Sequence, residues 1–169
     1  MADAPRRPGG SDSNRMTPRP AHLVEIIALV ATALAAVPPN AASESEARCL
    51  ALTLYWEARE EGRDGMLAVG WVVLNRLRSA KFPSTICQVV RQGGASAPCQ
   101  FSFWCDGKPD QPEEGASWTL ARSLADELLS APPPDPTRGA LRFHRDDVRP
   151  AWSAQHRQTA RVGRHIYYR

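Results

Sequence analysis

The sequence is poor in lysine and has no strong excess of charge of either sign. Only two of its 21 basic residues, Lys81 and Lys108, are lysine, and 18 acidic residues leave a formal net charge of +3. A protein that binds the phosphate backbone of a nucleic acid is expected to be more basic, or to interleave its arginines with exposed aromatic residues. The composition therefore predicts that nucleic acid is not a partner.

Metal-binding patterns are also missing. The four cysteines form no C-x-x-C pair, and the four histidines show no H-E-x-x-H or comparable ligand spacing. The sequence thus predicts neither a metal site nor a cofactor. An even number of cysteines in an exported domain instead suggests two disulfides, with three pairings left open among Cys49, Cys87, Cys99 and Cys105.

A long apolar run is lacking except near the N-terminus. The segment Leu23–Val37 is apolar but contains Glu25, and it is shorter than the roughly 20 residues that a membrane-spanning helix needs. An arginine-containing segment precedes it and small residues follow it, which is the pattern of a secretory signal cleaved near Ala41 or Ala42. A membrane anchor and a cytoplasmic protein with an unusual N-terminus are the less favoured alternatives.

The sequence is therefore predicted to consist of an export segment followed by one folded domain. Residues 1–42 are predicted to be an N-terminal extension and signal peptide, with Met16 as an alternative start. Residues 43–169 are long enough to bury a single hydrophobic core without a metal. We expect the mature protein to work in the periplasm or cell envelope and to meet the membrane only transiently, during export.

Most of residues 43–169 shows helical periodicity. Helices are predicted over 45–59, 65–79 and 112–129. A short additional helix that ends at Val90 is predicted to follow the run Phe82-Pro83-Ser84-Thr85, which offers an N-cap. The second of these is apolar on all sides until Asn75, so it is expected at the centre of the core, with Asn75 tying its end to a loop.

One small β element is predicted beside these helices. The segment CQFSFWCDG at 99–107 alternates aromatic and polar residues and ends in Asp-Gly, which favours a short strand or hairpin arm. The last segment, 140–169, is predicted to be irregular, with a short helix around 152–160. The predicted fold class is therefore α+β and mainly helical.

The candidate for chemistry is Glu57, which ends the first predicted helix in the run Tyr55-Trp56-Glu57. Burial against aromatic side chains raises the pKa of a carboxyl group, as a general acid that works near neutral pH requires. By itself this pattern is weak evidence for a catalytic residue, since an exposed structural Glu paired with Arg59 or Arg63 would give the same sequence pattern.

Several motifs in order make the interpretation more specific. The sequence contains YWEAREEGRDGMLAVGWVVLNRLRSAKFPSTICQVV, then CQFSFWCDG, then RFH at 142–144 and GRHIYYR at its end. Over residues 47–169 it resembles the SleB-like cell wall hydrolase family, of the spore cortex-lytic enzyme type. That family carries the motifs Y-x-E-A-R-G-E, an apolar helix ending in L-N-R, and a Q-F-S segment.

The resemblance implies a lysozyme-like fold and a peptidoglycan-cleaving enzyme. Such enzymes cut the β-1,4 bond between N-acetylmuramic acid and N-acetylglucosamine, in known members by lytic transglycosylation. Glu57 matches the family's catalytic Glu. Because the muramoyl 6-hydroxyl serves as nucleophile, one carboxyl group is sufficient, in contrast to the usual pair in glycosidases.

The resemblance also implies substrate-binding residues. Gln100, Phe101 and Ser102 match the segment that lines the family's groove, and they offer an amide, a ring for stacking and a hydroxyl. For each of these three side chains taken singly, a role in packing is expected about as much as contact with substrate.

Three further residues match family positions near the cleft. Glu61 matches the second Glu of the motif, for which a structural role is preferred over assistance in the cleft. His144 and Tyr167 match positions that approach the cleft, and His144 as a general base is the less favoured interpretation.

The sequence departs from the family at two positions. Glu60 stands where the family has Gly, which would cost roughly 1 kcal/mol if that position needs a positive φ. A carboxylate this close to Glu57 would also raise its pKa further. Arg142 stands where relatives often have His.

Three functions are therefore compared. The leading hypothesis is a lytic transglycosylase, followed by a hydrolysing muramidase that uses a second carboxylate from Glu60, Glu61 or Asp106. The third is a binding module that holds peptidoglycan without turnover. An activating protein partner is left open.

Overall fold

The described part of the chain folds into four α-helices and a three-stranded sheet, together with short 3₁₀ turns. A computed structural model describes residues 39–94 and 98–169, with side chains from Ser45 onward. Apart from residues 39–42, the predicted signal peptide lies outside the described residues, and the predicted division after residue 42 falls within the first helix. The helices are α1 (Pro39–Ala58), α2 (Gly62–Leu77), α3 (Ile86–Val90) and α4 (Ala116–Ser130), and the strands are β1 (Arg142–Arg145), β2 (Gln158–Val162) and β3 (His165–Tyr168).

Helix α2 lies at the centre of the core, as its apolar sequence predicts. It contacts α1, α3 and α4, and its residues from Val69 to Leu74 are all buried. At Gly70 a methyl group would collide with Leu128 of α4, so the missing side chain is what allows these two helices to approach closely. Each large apolar side chain buried here contributes about 1.5–3 kcal/mol to folding.

Polar side chains fix the ends of two helices in the way the sequence predicts. The Thr85 hydroxyl accepts a hydrogen bond from the backbone N–H of Gln88 and so caps α3. The Asn75 amide donates to Asp135 at 3.0 Å and to the carbonyl of Ala140 at 3.2 Å. Asn75 therefore joins the end of α2 to the loop that leads into β1.

The sheet is formed by the last part of the chain, and this corrects two predictions. Its order is β1-β3-β2, and both pairings are antiparallel. Segment 140–169, predicted to be irregular, thus supplies every strand of this sheet, and residues Ala151–Gln155 form a short 3₁₀ helix. The predicted strand at 99–107 is instead a 3₁₀ helix at Ser102–Cys105. Strands of four or five residues are too short for a clear alternating pattern.

Two disulfides resolve the pairing that the sequence left open. Cys49–Cys87 joins α1 to α3 across 38 residues, whereas Cys99–Cys105 closes a local loop across 6 residues. The long-range disulfide therefore fixes the helix that carries Glu57, and the local one closes the segment that carries Gln100 and Ser102.

Within residues 39–94 and 98–169, no helix combines the length and apolar character needed to cross a membrane.

Candidate active site

Glu57 lies in the last turn of α1, where the helix gives way to a 3₁₀ turn at Arg59–Glu61. Its side chain lines the main cleft of the molecule, about 690 Å³ in volume, together with Trp56, Gln100 and His144. It also lines two smaller hollows of about 130 and 270 Å³ that open from the same point. Trp56 and Glu57 are thus the two residues at which these three spaces meet.

The environment of Glu57 suits proton transfer near neutral pH. Burial raises the pKa of Glu57 to about 7, while the positive charge of Arg76 partly opposes that rise. A carboxyl group with this pKa is protonated in a substantial fraction of molecules at neutral pH, and it also accepts a proton readily once ionised. Glu57 therefore has the properties of a general acid and base.

Arg76 is a site residue that the sequence analysis missed. It lies in the last turn of α2, is only 3% exposed, and its Nε donates a 2.8 Å hydrogen bond to the Leu141 carbonyl. Its guanidinium lies 5.3 Å from the ring centre of Phe82 and 5.1 Å from that of Phe101. Burial lowers the pKa of Arg76 to about 10. The sequence contained one signal for a buried role of Arg76: it directly follows Asn75, at the end of a helix that is expected in the core.

The Arg76 guanidinium is held next to Glu57 without a full set of acceptors. Its Nη1 is buried and has no hydrogen-bond partner among the described residues. A buried cation gains most when a negative charge forms beside it, because the local dielectric constant is low. Arg76 therefore favours the ionised form of Glu57, which is the form that appears after the carboxyl group has released its proton.

The cleft continues in both directions from Glu57. On one side Gln100 and Arg142 are shared with a second cavity of about 690 Å³. On the other side, Ser102 belongs both to the main cleft and to the hollow that contains Asp106 and Asp110. The three spaces are therefore joined in series, with the main cleft between the other two, and together we call them the groove. Such a series of joined spaces suits a chain-like substrate.

The structure places Gln100, Phe101 and Ser102 in different environments. Gln100 and Ser102 are exposed and line the groove, as the resemblance implies. Phe101 is 1% exposed and packs near Phe143 in the core, so its ring does not face the groove. The structure therefore does not support the expected sugar-stacking role of Phe101. The side chains of Gln100 and Ser102 line the groove, whereas the ring of Phe101 is buried in the core.

Residues 60–168 match the family model of the Cell Wall Hydrolase. The chain belongs to this family. It is 33% identical to the spore cortex-lytic enzyme of Bacillus subtilis over 80% of this chain and 41% of that protein. It is 31% identical to the spore cortex-lytic enzyme of Halalkalibacterium halodurans over 76% of this chain and 36% of that protein. The chain thus spans less than half the length of these curated relatives.

Solved structures of the cell wall hydrolase family share the fold. The catalytic domain of the germination-specific lytic transglycosylase SleB from Bacillus anthracis superposes with a TM-score of 0.58 and 26% identity. The superposition covers 78% of this chain and 100% of that one. The catalytic domain of the Bacillus cereus SleB protein gives 0.57 and 26% identity, over 75% of this chain and 91% of the other. The predicted α+β class and the predicted family are both confirmed.

Glu61, the second Glu of the family motif, contacts the hairpin between β2 and β3. Its Oε2 accepts a 2.9 Å hydrogen bond from the backbone N–H of Arg164, and its Oε1 lies 3.3 Å from Nδ1 of His165. Burial lowers the pKa of His165, so this contact is mainly one to a neutral ring. Glu61 thus joins the segment after Glu57 to the far end of the chain, which supports the structural role preferred from the sequence.

His144 and Tyr167 differ in their access to the cleft. His144 lines the cleft, but its Nδ1–H donates to the Arg145 carbonyl at 2.7 Å and its Nε2 accepts from the Tyr168 hydroxyl at 2.9 Å. Both ring nitrogens are occupied, which leaves no free nitrogen for a general base. Tyr167 is completely buried and packs against Ala68 and Val72, so its predicted contact with substrate is replaced by packing.

Glu60 does not have the effects expected from its place in the family motif. It is exposed in the 3₁₀ turn, and Arg138 is the one non-glycine residue with positive φ in the described segments. The expected backbone strain is therefore absent at Glu60. The raised pKa of Glu57 has burial as its cause, not the charge of Glu60.

In the described segments, no group of three or more His, Cys, Asp or Glu side chains is arranged to hold a metal ion.

Proposed function

We propose that residues 43–169 form a catalytic domain that cleaves peptidoglycan glycan strands by lytic transglycosylation, with Glu57 as the catalytic acid and base. The observation that carries this proposal is a half-buried carboxyl group that lines the groove and whose pKa is raised to about 7 by desolvation. Membership of the cell wall hydrolase family, and the similarity to a SleB catalytic domain described as a lytic transglycosylase, give the reaction class.

The reaction requires no group beyond Glu57 and the substrate. The Glu57 carboxyl group donates its proton to the glycosidic oxygen as the bond from that oxygen to muramoyl C1 breaks. The resulting carboxylate then takes the proton from the muramoyl 6-hydroxyl, whose oxygen bonds to C1. The products are a 1,6-anhydromuramoyl end and a free 4-hydroxyl on N-acetylglucosamine, and Glu57 is protonated again.

Arg76 and the groove walls assist this sequence. When Glu57 is ionised, the neighbouring Arg76 guanidinium stabilises the carboxylate. Under this proposal the exposed amide of Gln100 and the hydroxyl of Ser102 bind N-acetyl and hydroxyl groups of the sugars, which is supported by their position in the wall of the cleft. We assign no cofactor, metal or nucleic-acid partner to this reaction.

The proposed place of action is the periplasm or cell envelope. Peptidoglycan lies there, and the two disulfides are typical of proteins in an oxidising compartment. The membrane is met only during export under this proposal, and the identity of any activating protein is not assigned.

Mass spectrometry of soluble fragments released from purified sacculi tests the proposal directly. The unmodified chain is expected to release anhydro-muropeptides, and Glu57→Gln is expected to release none because its amide cannot transfer a proton. The exposed neighbour Glu60→Gln is the matched control and should retain most of the activity.

Two other outcomes would replace the proposal. Fragments with reducing ends would identify a hydrolysing muramidase, in which Asp106, exposed and lining a hollow shared with Glu57, is the candidate second carboxylate. Sacculus binding without any released fragment would identify a binding module.

A further inference from the structure

A second cavity adjoins the main cleft and, apart from Gln100, is lined by residues that are not assigned to the reaction. Its volume is about 690 Å³, and it shares Gln100 and Arg142 with the cleft. Its walls come mainly from the segment between α2 and α3, from the start of β1 and from the segment before β2. The polar and charged side chains that line it include Lys81, Gln92, Gln100, Arg142 and His156. We call this space the basic cavity.

The charged groups that line the basic cavity are all basic. No Asp or Glu side chain lines it, and neither Lys81 nor Arg142 has a carboxylate within 4.0 Å or a side-chain hydrogen bond among the described residues. Arg169 adds a third cation to the wall of the cavity. The positive charges of Lys81 and Arg142 are therefore not neutralised by the part of the chain that the structure describes.

Arg142 extends this positive charge toward the reaction centre. It is half-buried at the junction of the two spaces, and its charge lowers the pKa of Arg76 by repulsion. Like charges placed this close destabilise the protein unless an anion binds between or beside them. Arg142 thus marks a point where a negative group on a ligand would be favoured.

The opposite end of the groove has the opposite balance. The hollow beyond Ser102 is lined by Asp106 and Asp110 and by one cation, Lys108, which lies 3.8 Å from Asp106. A chain-like ligand with anionic branches would therefore experience a gradient of potential along the groove. Such a gradient orients a ligand as well as attracting it.

We propose that the basic cavity binds the carboxylates of the peptide stem carried by a muramoyl residue, and so selects glycan that still bears its peptides. This inference rests on the proposed function, because it assumes that the groove holds a peptidoglycan strand. Lys81 and Arg142 pair with stem carboxylates, and Gln100 at the junction contacts the glycan where the stem branches from it. At about 690 Å³ the cavity has room for several amino acids of a stem.

Binding in the absence of turnover tests the inference. In the Glu57→Gln background, the dissociation constant is measured by co-sedimentation with two forms of peptidoglycan, both freed of attached anionic polymers. One form keeps its peptide stems, and the other has been stripped of them by an amidase. We expect binding to the stem-bearing form to be about tenfold tighter, the scale that two partly solvated ion pairs supply.

The two lysines of the chain provide a matched pair of variants. Lys81→Gln combined with Arg142→Gln is expected to bring the ratio of the two dissociation constants close to one. Lys81→Gln alone should also lower the ratio, whereas Lys108→Gln, which makes the same change of charge at the other end of the groove, should leave it unchanged. An increase of salt concentration should weaken binding to the stem-bearing form more than binding to the stripped form.

The outcomes separate this inference from the proposed function. If the unmodified chain cleaves both substrates and binds both equally, the stem site is overturned while the glycosidic activity stands. If Lys108→Gln lowers the ratio as much as the pair at Lys81 and Arg142, the site is also overturned, since general charge attraction then explains the preference. If the folded chain neither binds nor cleaves either substrate, the proposed function itself fails.

Discussion

Burial of Glu57 makes the stability of the protein depend on pH. The pKa of this group rises from its ordinary value of 4.5 to about 7 on folding, because burial disfavours the carboxylate. Between these values the folded chain binds more protons than the unfolded chain, so the free energy of unfolding falls as pH rises. Above pH 7 the full cost of the buried carboxylate applies, about 3 kcal/mol.

Glu57→Gln is therefore expected to stabilise the protein at high pH. The amide keeps the shape but cannot ionise, so at pH 8 the free energy of unfolding should exceed that of the unmodified chain by about 3 kcal/mol. At pH 4, where the carboxyl group is mainly protonated, the gain should vanish. Urea denaturation at the two pH values measures this difference.

Glu60→Gln serves as the control in that experiment. Glu60 is exposed, so its replacement should change stability by less than about 0.5 kcal/mol at either pH. A gain at Glu57→Gln that is the same at pH 4 and pH 8 would contradict the burial argument, since it could not come from ionisation.

Single residues of the site were predictable where their chemistry follows from type and position. Glu57 stood out because a carboxyl group followed two aromatic residues at the end of an apolar helix. Arg76 did not, because its importance comes from packing between Phe82 and Phe101, which lie close to it only in the fold. The orientations of Phe101 and Tyr167 were likewise decided by the tertiary structure.

The β2–β3 hairpin depends on a glycine at its turn. Gly163 has φ +55, and a methyl group there would collide with the Glu61 carboxylate that holds the turn. Gly163→Ala is therefore expected to combine backbone strain of about 1 kcal/mol with a steric cost, and to lower the free energy of unfolding by about 2–3 kcal/mol. Thermal or urea denaturation checks this.

Gly107→Ala measures the cost of backbone strain without the steric cost. Gly107 also has positive φ, +77, but no atom lies within 4 Å of the position that a methyl group would occupy. We expect this variant to lose only about 1 kcal/mol. Adding Glu61→Ala to Gly163→Ala should cost less than the sum of the two single changes, because the collision is removed. Strict additivity would show that Glu61 does not contact the turn in solution.

Helices were predictable as elements, whereas the strands were not. The periodicity from Met66 to Leu74 was long enough to predict α2, and Thr85 predicted the start of α3 through its capping hydroxyl. The strands are four or five residues long, and the buried positions of β3 include His165 and Tyr168 rather than a simple apolar alternation. Their partners lie elsewhere in the sequence, so local patterns carried little information about them.

The long-range disulfide is expected to be a major source of stability for the whole molecule. Cys49–Cys87 closes a segment of 38 residues, against 6 for Cys99–Cys105. In the loop-entropy description the first contributes about 4 kcal/mol and the second about 2 kcal/mol. Replacing Cys49 and Cys87 by Ala should therefore lower the free energy of unfolding about twice as much as replacing Cys99 and Cys105.

Equilibrium unfolding of the two double variants without reductant measures this difference. Activity gives a second comparison, because the Cys99–Cys105 loop carries Gln100 and Ser102 of the groove. Loss of that local disulfide should weaken substrate binding even where the protein remains folded. Equal losses of stability in the two variants would contradict the dependence on loop length.

The two sides of the groove come from opposite ends of the folded segment. Glu57 is supplied by α1, while Arg142, His144 and His165 come from the closing strands, and Glu61 reaches across 103 residues to hold Arg164. During synthesis on the ribosome, a chain that stops before residue 142 already contains Glu57 and all four cysteines, yet it has no opposing wall. The cleft around Glu57 is therefore complete only once the strands that carry Arg142, His144 and His165 have been translated, and under the proposed function a chain interrupted earlier is expected to cleave no glycan.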